Sequence, residues 1–271
     1  MSSQAIRDRF REGKVCVLVP TYNNAQTLGA VLDSLLAYTD QVLVVNDGST
    51  DGTPGILERF PQIERVSYPV NQGKGYALRT GFKKALELGY DYAITIDSDG
   101  QHFAEDLPKF LDKLEDHPNA IIMGARNMDQ ASVPGKSSFG HKFSNFWFKV
   151  ETGKKLSDTQ SGYRLYPIRQ LQNIRFITKK YEFEIEVLVR ASWAGVEMTE
   201  VPVRVFYAEK EKRISHFRPF TDFSRISVLN TVLVLITFLY IKPRDLFRAI
   251  KKKISGKSYG KSFSTRSNPI E

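Results

Sequence analysis

The sequence predicts an α/β fold, a doubly wound and mostly parallel sheet with helices on both faces. Three observations carry that expectation. Over residues 15–123, short apolar runs rich in β-branched residues alternate with stretches of helical apolar periodicity. The connections between them are short, as consecutive strand–helix units require. Three strand candidates end in polar loops, at 20–24, 46–49 and 97–101, and in an open α/β sheet such loops share the ligand-binding edge.

The first strand is Val15-Cys16-Val17-Leu18-Val19, apolar at every position, as a parallel strand covered on both faces must be. Asn24 then stands where it can cap a helix whose Leu28, Val31, Leu32, Leu35 and Leu36 share one face. The second strand, 42–45, ends in Asn46-Asp47-Gly48-Ser49, and Pro54 suits the first turn of a short helix running to about residue 60. Residues 63–68 give a third strand. Asn71-Gln72-Gly73-Lys74-Gly75 leads into a helix with Ala77, Leu78, Phe82, Ala85 and Leu86 inward. The strand 92–96 runs into Asp97-Ser98-Asp99-Gly100-Gln101-His102, followed by a helix over about 105–115 and a strand at 120–123. Beyond it come a polar stretch, an aromatic-rich helix (Phe139, Phe143, Phe146, Trp147, Phe148), a loop at 158–164, a helix over 181–194 and a strand over 198–207. In that last helix Glu182, Glu184 and Glu186 alternate with apolar residues. At least one acid therefore points inward and needs a partner, with Arg190 and Arg164 the candidates.

With 271 residues, 41% hydrophobic and 25% charged, the chain has the composition of a soluble globular protein. Its one cysteine, Cys16, excludes an internal disulfide and reads as a small buried hydrophobe. The first nine residues lack the apolar core of a signal peptide. The net charge of +9 is uneven: residues 242–271 hold nine Lys/Arg against two acids, or +7, leaving 9 − 7 = +2 for residues 1–241. A nearly neutral body argues against a nucleic-acid-binding face over the whole domain, and a basic tail fits an anionic surface, either membrane or RNA; the expected partner is a membrane surface and not nucleic acid. Residues 226–241 are the most apolar stretch. As a helix they span roughly 24 Å, short of the ~30 Å hydrocarbon core. Basic flanks, with Arg218 and Arg225 before and the tail after, favour a helix lying in the membrane interface, peripheral or monotopic. The expected divisions are an extension at 1–13, an α/β domain at 14–216, a membrane-associated helical segment at 217–250 and a basic disordered tail at 251–271.

The chemistry concentrates at Asp97 and Asp99. Two carboxylates one residue apart, at a strand end with Gly100 to let the backbone turn, can share a hard cation such as Mg²⁺ or Mn²⁺, with substrate phosphates completing its shell. The same acids also serve as turn and cap residues. The first strand–helix loop lacks the glycine pattern of a dinucleotide cradle, and Gly73-Lys74-Gly75 lacks that of a P-loop. Lys74 either reaches a phosphate or is a solvated lysine at a helix start.

An ordered set of motifs over about 14–216 resembles the family 2 glycosyltransferases of the GT-A fold, in the dolichyl-phosphate mannose synthase and polyprenyl-phosphate glycosyltransferase branch. The set comprises Val19-Pro20-Thr21-Tyr22-Asn23, the run from Val45-Asn46-Asp47 to Thr53, Asn71–Gly75 as above, Asp97–His102 as above, Gly124-Ala125-Arg126, Asp158-Thr159-Gln160-Ser161-Gly162-Tyr163 and Glu200-Val201-Pro202-Val203. The resemblance implies an enzyme holding a UDP- or GDP-linked sugar along the strand ends. Pro20, Thr21, Tyr22 and Asn23 would line the nucleotide pocket, Asn46 and Asp47 would meet the base or ribose, and Asp97, Asp99 and Gln101 would sit at the metal. In that branch the acceptor is a polyprenyl phosphate, used at the cytoplasmic face of a membrane. Such an acceptor is already anionic, so inverting attack needs cations to hold it rather than a general base. Arg126, Lys142, Lys210, Arg213 and the Ser215-His216 pair are the candidates. A glycolipid or saccharide hydroxyl would instead need a base, drawn from His102, His141, Glu184 or His216. A non-catalytic nucleotide-binding membrane scaffold is the third possibility. The chain departs from the branch in Asn23-Asn24, Asn46-Asp47, a thin basic cluster around Lys136, and the run Glu209-Lys210, Arg213, Ser215-His216.

Overall fold

A computed structural model describes residues 2–126, 135–206 and 218–259. Four parallel strands form one half of a seven-stranded sheet: β1 (Val15–Thr21), β2 (Val42–Asp47), β3 (Glu64–Tyr68) and β4 (Tyr92–Thr95). The other half holds β5 (Ala120–Arg126), β6 (Arg164–Tyr166) and β7 (Glu197–Val203). The order across the sheet is β3-β2-β1-β4-β6-β5-β7. Only β6 runs against its neighbours, pairing antiparallel with both β4 and β5. The expectation for 158–164 was a loop. The structure continues that loop into a three-residue strand, whose brevity and leading arginine hide it from any apolar pattern.

Strand β1 shows why its sequence is apolar throughout. Val15, Val17 and Val19 enter one core, while Cys16 and Leu18 enter the other. The first core is roofed by α2 (Leu28–Leu36), α3 (Thr53–Glu58) and α5 (Leu107–Asp116). The second lies under α4 (Lys74–Glu87), α7 (Ile168–Leu171) and α8 (Phe183–Trp193), with α6 (Gly135–Thr152) beside them.

Residues 1–13 are more than an extension. Helix α1 (Ser3–Glu12), capped by Ser2, buries Ile6 and Phe10 in the first core. Helix α2 does not take its cap from Asn24: Thr27 is the N-cap and makes no side-chain cap bond, and the Asn24 amide turns to Ser98.

At the C-terminus, α9 (Pro219–Ile236) passes through a π-helical turn (Thr237–Ile241) into α10 (Lys242–Tyr259). The expected 16-residue apolar segment is thus part of a much longer helix, and Phe220–Lys251 is long and apolar enough to cross a membrane. One face docks on the body: Leu229 and Leu233 enter the second core, and the Thr237 hydroxyl donates to Glu151 O at 3.2 Å. The Arg244 guanidinium donates to Trp193 O at the end of α8. The outward face is apolar, with Phe220 85%, Leu239 76% and Phe247 76% exposed. Helix α10 also runs into the tail expected to be disordered.

Candidate active site

The carboxyl ends of β1, β2 and β4 open into a cavity of about 780 Å³, lined from those ends by Pro20, Thr21, Tyr22, Asn23, Asp47, Asp97, Asp99 and Gln101. The three loops expected on one edge therefore meet there, and side-chain bonds fix their spacing. The Asn23 side-chain carbonyl accepts from Thr50 N at 2.8 Å, and Asn23 N donates to the Ser49 hydroxyl at 2.9 Å. Asn24 Nδ2 donates to Ser98 Oγ at 2.6 Å, and Thr27 Oγ1 donates to Ser98 O at 2.6 Å. Ser98, between the two acids, is thereby clamped by the β1–α2 connection.

Asp97 meets Lys74, the first residue of α4. The ammonium lies 2.8 Å from Asp97 Oδ1 and 3.0 Å from Oδ2, and 3.0 Å from Glu184 Oε1 on α8. Burial alone would lower the lysine pKa, but Asp97 and Glu184 raise it above its usual value. Burial likewise pushes Asp97 up, yet Lys74 outweighs it and holds this carboxyl below the ordinary aspartate range. Asp99 has no such cation among the described residues. Burial, then repulsion from Asp97, pushes it up to about 6. Its Oδ1 accepts from Gln101 N at 3.0 Å, which closes the turn at Gly100. The backbone at Gly162 presses on this cluster: a Cβ there would come within 2.6 Å of Asp97 Oδ2 and 3.0 Å of Lys74 Nζ. Among the described residues no three His, Cys, Asp or Glu side chains form a closed metal cage. Asp97 and Asp99 are an open pair of hard oxygen donors lining the cavity, as Gln101 also does, a donor set whose chemistry fits a divalent cation.

Other expected residues divide. Asp47 lines the cavity but is also structural. Its carboxylate accepts from Gln72 N at 2.7 Å, Gly73 N at 2.8 Å and Asn71 Nδ2 at 3.0 Å, fixing the entry to α4. Burial, its largest influence, still leaves its pKa raised. Gly48 makes this turn possible, with φ +69° and a virtual Cβ only 2.5 Å from Asn71 N. Asn46 is not in the lining. It is buried, and its side-chain carbonyl accepts from Ser49 N.

Arg126 is not in the lining either. It forms a two-pronged pair with the fully buried Asp158, Nε to Oδ2 at 2.6 Å and Nη2 to Oδ1 at 3.0 Å. Lys142 is exposed on α6, outside the cavity. Lys210, Arg213, Ser215 and His216 lie outside the described residues. His102 is half-buried against Tyr163, its Nδ1 inaccessible, with its ring pKa pushed down to about 4, chiefly by desolvation. His141 Nε2 sits 3.6 Å from Asp158 Oδ1. Of the acids in α8, Glu186 pairs with Arg190 at 2.7 Å, as expected for one of them, and Glu184 with Lys74. Arg164 is fully buried and donates to Ser161 O, Thr159 O, Glu184 O and the Tyr166 hydroxyl.

The sequence missed the remaining wall. Lys180 and Tyr181 reach the cavity ahead of α8, and α9 closes it with Arg218, Thr221, Asp222 and Arg225. A signal was present: these four polar residues, starting at the N-cap Arg218, recur at i, i+3, i+4 and i+7, along one face of the first turns of α9. In the sequence the two arginines read as basic membrane flanks, and Thr221 and Asp222 carry no role, because hydropathy reads a helix by its apolar side.

The sequence profile of "Glycosyl transferase family 2" matches residues 16–173. The chain is 27% identical over 217 residues to a UDP-N-acetylglucosamine–dolichyl-phosphate N-acetylglucosaminyltransferase of Methanococcus voltae, covering 72% of this chain and 86% of that one. It is 28% identical over 210 residues to an undecaprenyl-phosphate mannosyltransferase of Micrococcus luteus, covering 73% and 85%. A crystal structure of glucosyl-3-phosphoglycerate synthase from Mycobacterium tuberculosis, with Mn²⁺, UDP-glucose and phosphoglyceric acid, superposes with a TM-score of 0.62 at 19% identity. That match covers 87% of this chain and 83% of the other and is a likeness of fold.

Proposed function

Since the chain belongs to glycosyl transferase family 2, we propose that this glycosyltransferase moves a sugar from a UDP- or GDP-linked donor to a polyprenyl phosphate at a membrane surface. The observation that carries the reading is the cavity itself, with Asp97 and Asp99 on its floor and a helix of exposed apolar outer face as its wall. The relatives named above act, by their names, on dolichyl and undecaprenyl phosphate.

In this reading Pro20, Thr21, Tyr22 and Asn23 take the nucleotide, with Asp47 at the base or ribose. Asp97, Asp99 and Gln101 would hold Mg²⁺ or Mn²⁺. When bound, such an ion offsets the charge gathering on the diphosphate leaving group. Lys74 orients Asp97 and adds a positive charge beside it. A phosphate oxygen of the acceptor enters the anomeric carbon opposite the departing diphosphate, so a single displacement inverts that centre. The nucleophile is already an anion and needs no base. None of the described bases that a hydroxyl acceptor would use lines the cavity: His102 packs against Tyr163, His141 stands by Asp158, and Glu184 is paired with Lys74.

Helices α9 and α10 supply the membrane contact. Their inner face is packed on the body, which favours lying on the surface over spanning it, and a cytoplasmic face is where soluble nucleotide sugars would reach the cavity. The test is turnover by purified full-length protein with Mg²⁺ or Mn²⁺, a panel of UDP- and GDP-sugars, and polyprenyl phosphate. The expected product is a polyprenyl-phosphate sugar of inverted configuration. Turnover only with a hydroxyl acceptor would sink the reading.

A further inference from the structure

The geometry points to Arg218 and Arg225 of α9 as the clamp that receives the acceptor's phosphate, a deepening that rests on the function proposed above. The cavity needs cations on two sides, because donor and acceptor both bring phosphate charge to one carbon. Most of the cations near the acid pair are committed. Lys74 is shared by Asp97 and Glu184, Arg126 is held by Asp158, and Arg164 is buried among carbonyls. Lys180 reaches the cavity on the Asp47 side, where its charge acts on that carboxylate. Arg218 and Arg225 line the cavity from the opposite wall, both exposed. Neither guanidinium is engaged by another described residue.

Their placement suits an anion carrying an apolar tail. The two residues lie seven apart, about two helical turns, with Thr221 between them on the same side. Asp222, the acid on this face, is buried, and its Oδ2 accepts from Arg218 N at 2.7 Å, so its carboxylate is held at the helix entry. A guanidinium presents parallel N–H donors that match phosphate oxygens. Away from the cavity the same turns of helix expose Phe220 (85%) and Val228 (66%). A ligand with its phosphate at the arginines can therefore run its hydrocarbon chain directly onto an apolar surface. A soluble phosphate acceptor would leave that surface without a role.

The test uses the full chain in neutral-lipid vesicles, comparing wild type with Arg218→Ala, Arg225→Ala, the double variant and the Arg→Lys pair. Each is assayed for nucleoside-diphosphate affinity with Mn²⁺ and for KM and kcat with polyprenyl phosphate. A water-soluble short-chain prenyl phosphate is the second acceptor. The expected result is an acceptor KM raised about tenfold or more by each alanine, further in the double variant, and partly restored by lysine. Donor affinity should stay within about twofold. An unchanged acceptor KM overturns the clamp. So does an equal loss of donor affinity, which would put the arginines on the diphosphate. A defect that vanishes with the short-chain acceptor also overturns it, by assigning the arginines to lipid headgroups. Wild type that binds donor yet transfers to neither prenyl phosphate sinks the proposed function itself, whereas normal wild-type turnover with unaffected variants sinks the clamp alone.

Discussion

At the scale of single residues, the site is a balance of unlike carboxylates. Asp97 is neutralised by Lys74, and Asp99 beside it is not. Replacing Asp99 with Asn keeps the oxygen that accepts from Gln101 N, so the fold should survive while a charged donor to the proposed metal is lost. The expected outcome is a fall in turnover of about 10²–10³-fold with thermal unfolding near that of wild type. Full turnover would remove Asp99 from the reaction. Lys74→Met should behave differently. It leaves Asp97 and Glu184 facing each other without their shared cation, in a place where the three side chains keep only 14–27% exposure. Breaking a buried pair costs about 3–5 kcal/mol, and the remaining exposure puts this case at roughly 2–3 kcal/mol, readable by urea unfolding. The acids were legible in the sequence because they stand at a strand end. Their lysine was legible only as a helix-start residue, because Glu184 lies 110 positions along the chain and no local pattern joins the two.

At the scale of elements, the legible half of the fold was the parallel one. Strands covered on both faces must be apolar throughout, so β1, β2 and β4 announce themselves. Strand β6 does not, since it is three residues long and begins with Arg164, whose charge is satisfied internally by carbonyls and a hydroxyl. Helix α1 offers only Ile6 and Phe10 among charged residues. A further element-scale feature is the junction of α6 with α9. Glu151 is 1% exposed, neither carboxylate oxygen has a partner among the described residues, and burial pushes its pKa from 4.5 up to about 8. The folded protein thus keeps a proton that the unfolded chain gives up. This contribution to stability is fully present below pH 4.5 and is lost as the pH rises towards about 8. Glu151→Gln removes the titration. The variant should match wild type near pH 5 and exceed it by roughly 2–4 kcal/mol at pH 8, measured by denaturant unfolding at both values. A constant difference across that range would show that Glu151 is not the titrating group.

At the scale of the whole molecule, charge and apolar surface are sorted to one end. The body carries +2 and residues 242–271 carry +7, of which α10 holds 7 − 1 = +6 on the helix that also exposes Leu246, Phe247 and Ile250. Binding to anionic vesicles should weaken with salt, as exposed charges are screened within about 8–10 Å. Deleting 242–271 should reduce that binding while donor affinity is kept, since the cavity lining ends at Arg225. Unchanged sedimentation with vesicles would dismiss the tail as an anchor. Strand β6 has a consequence in time as well as space. It enters the sheet between β4 and β5 only after residue 164 is made, and it brings Gly162 against Asp97. The cavity then lacks Glu184 until α8 is made, and its last wall until residue 225. During synthesis the first 126 residues emerge with the acid pair and Lys74 but without Gly162, Glu184 and the α9 wall. A nascent chain therefore cannot complete the cavity until the first turns of the helix with the exposed apolar face have also been translated. Cavity and apolar face are completed in the same step.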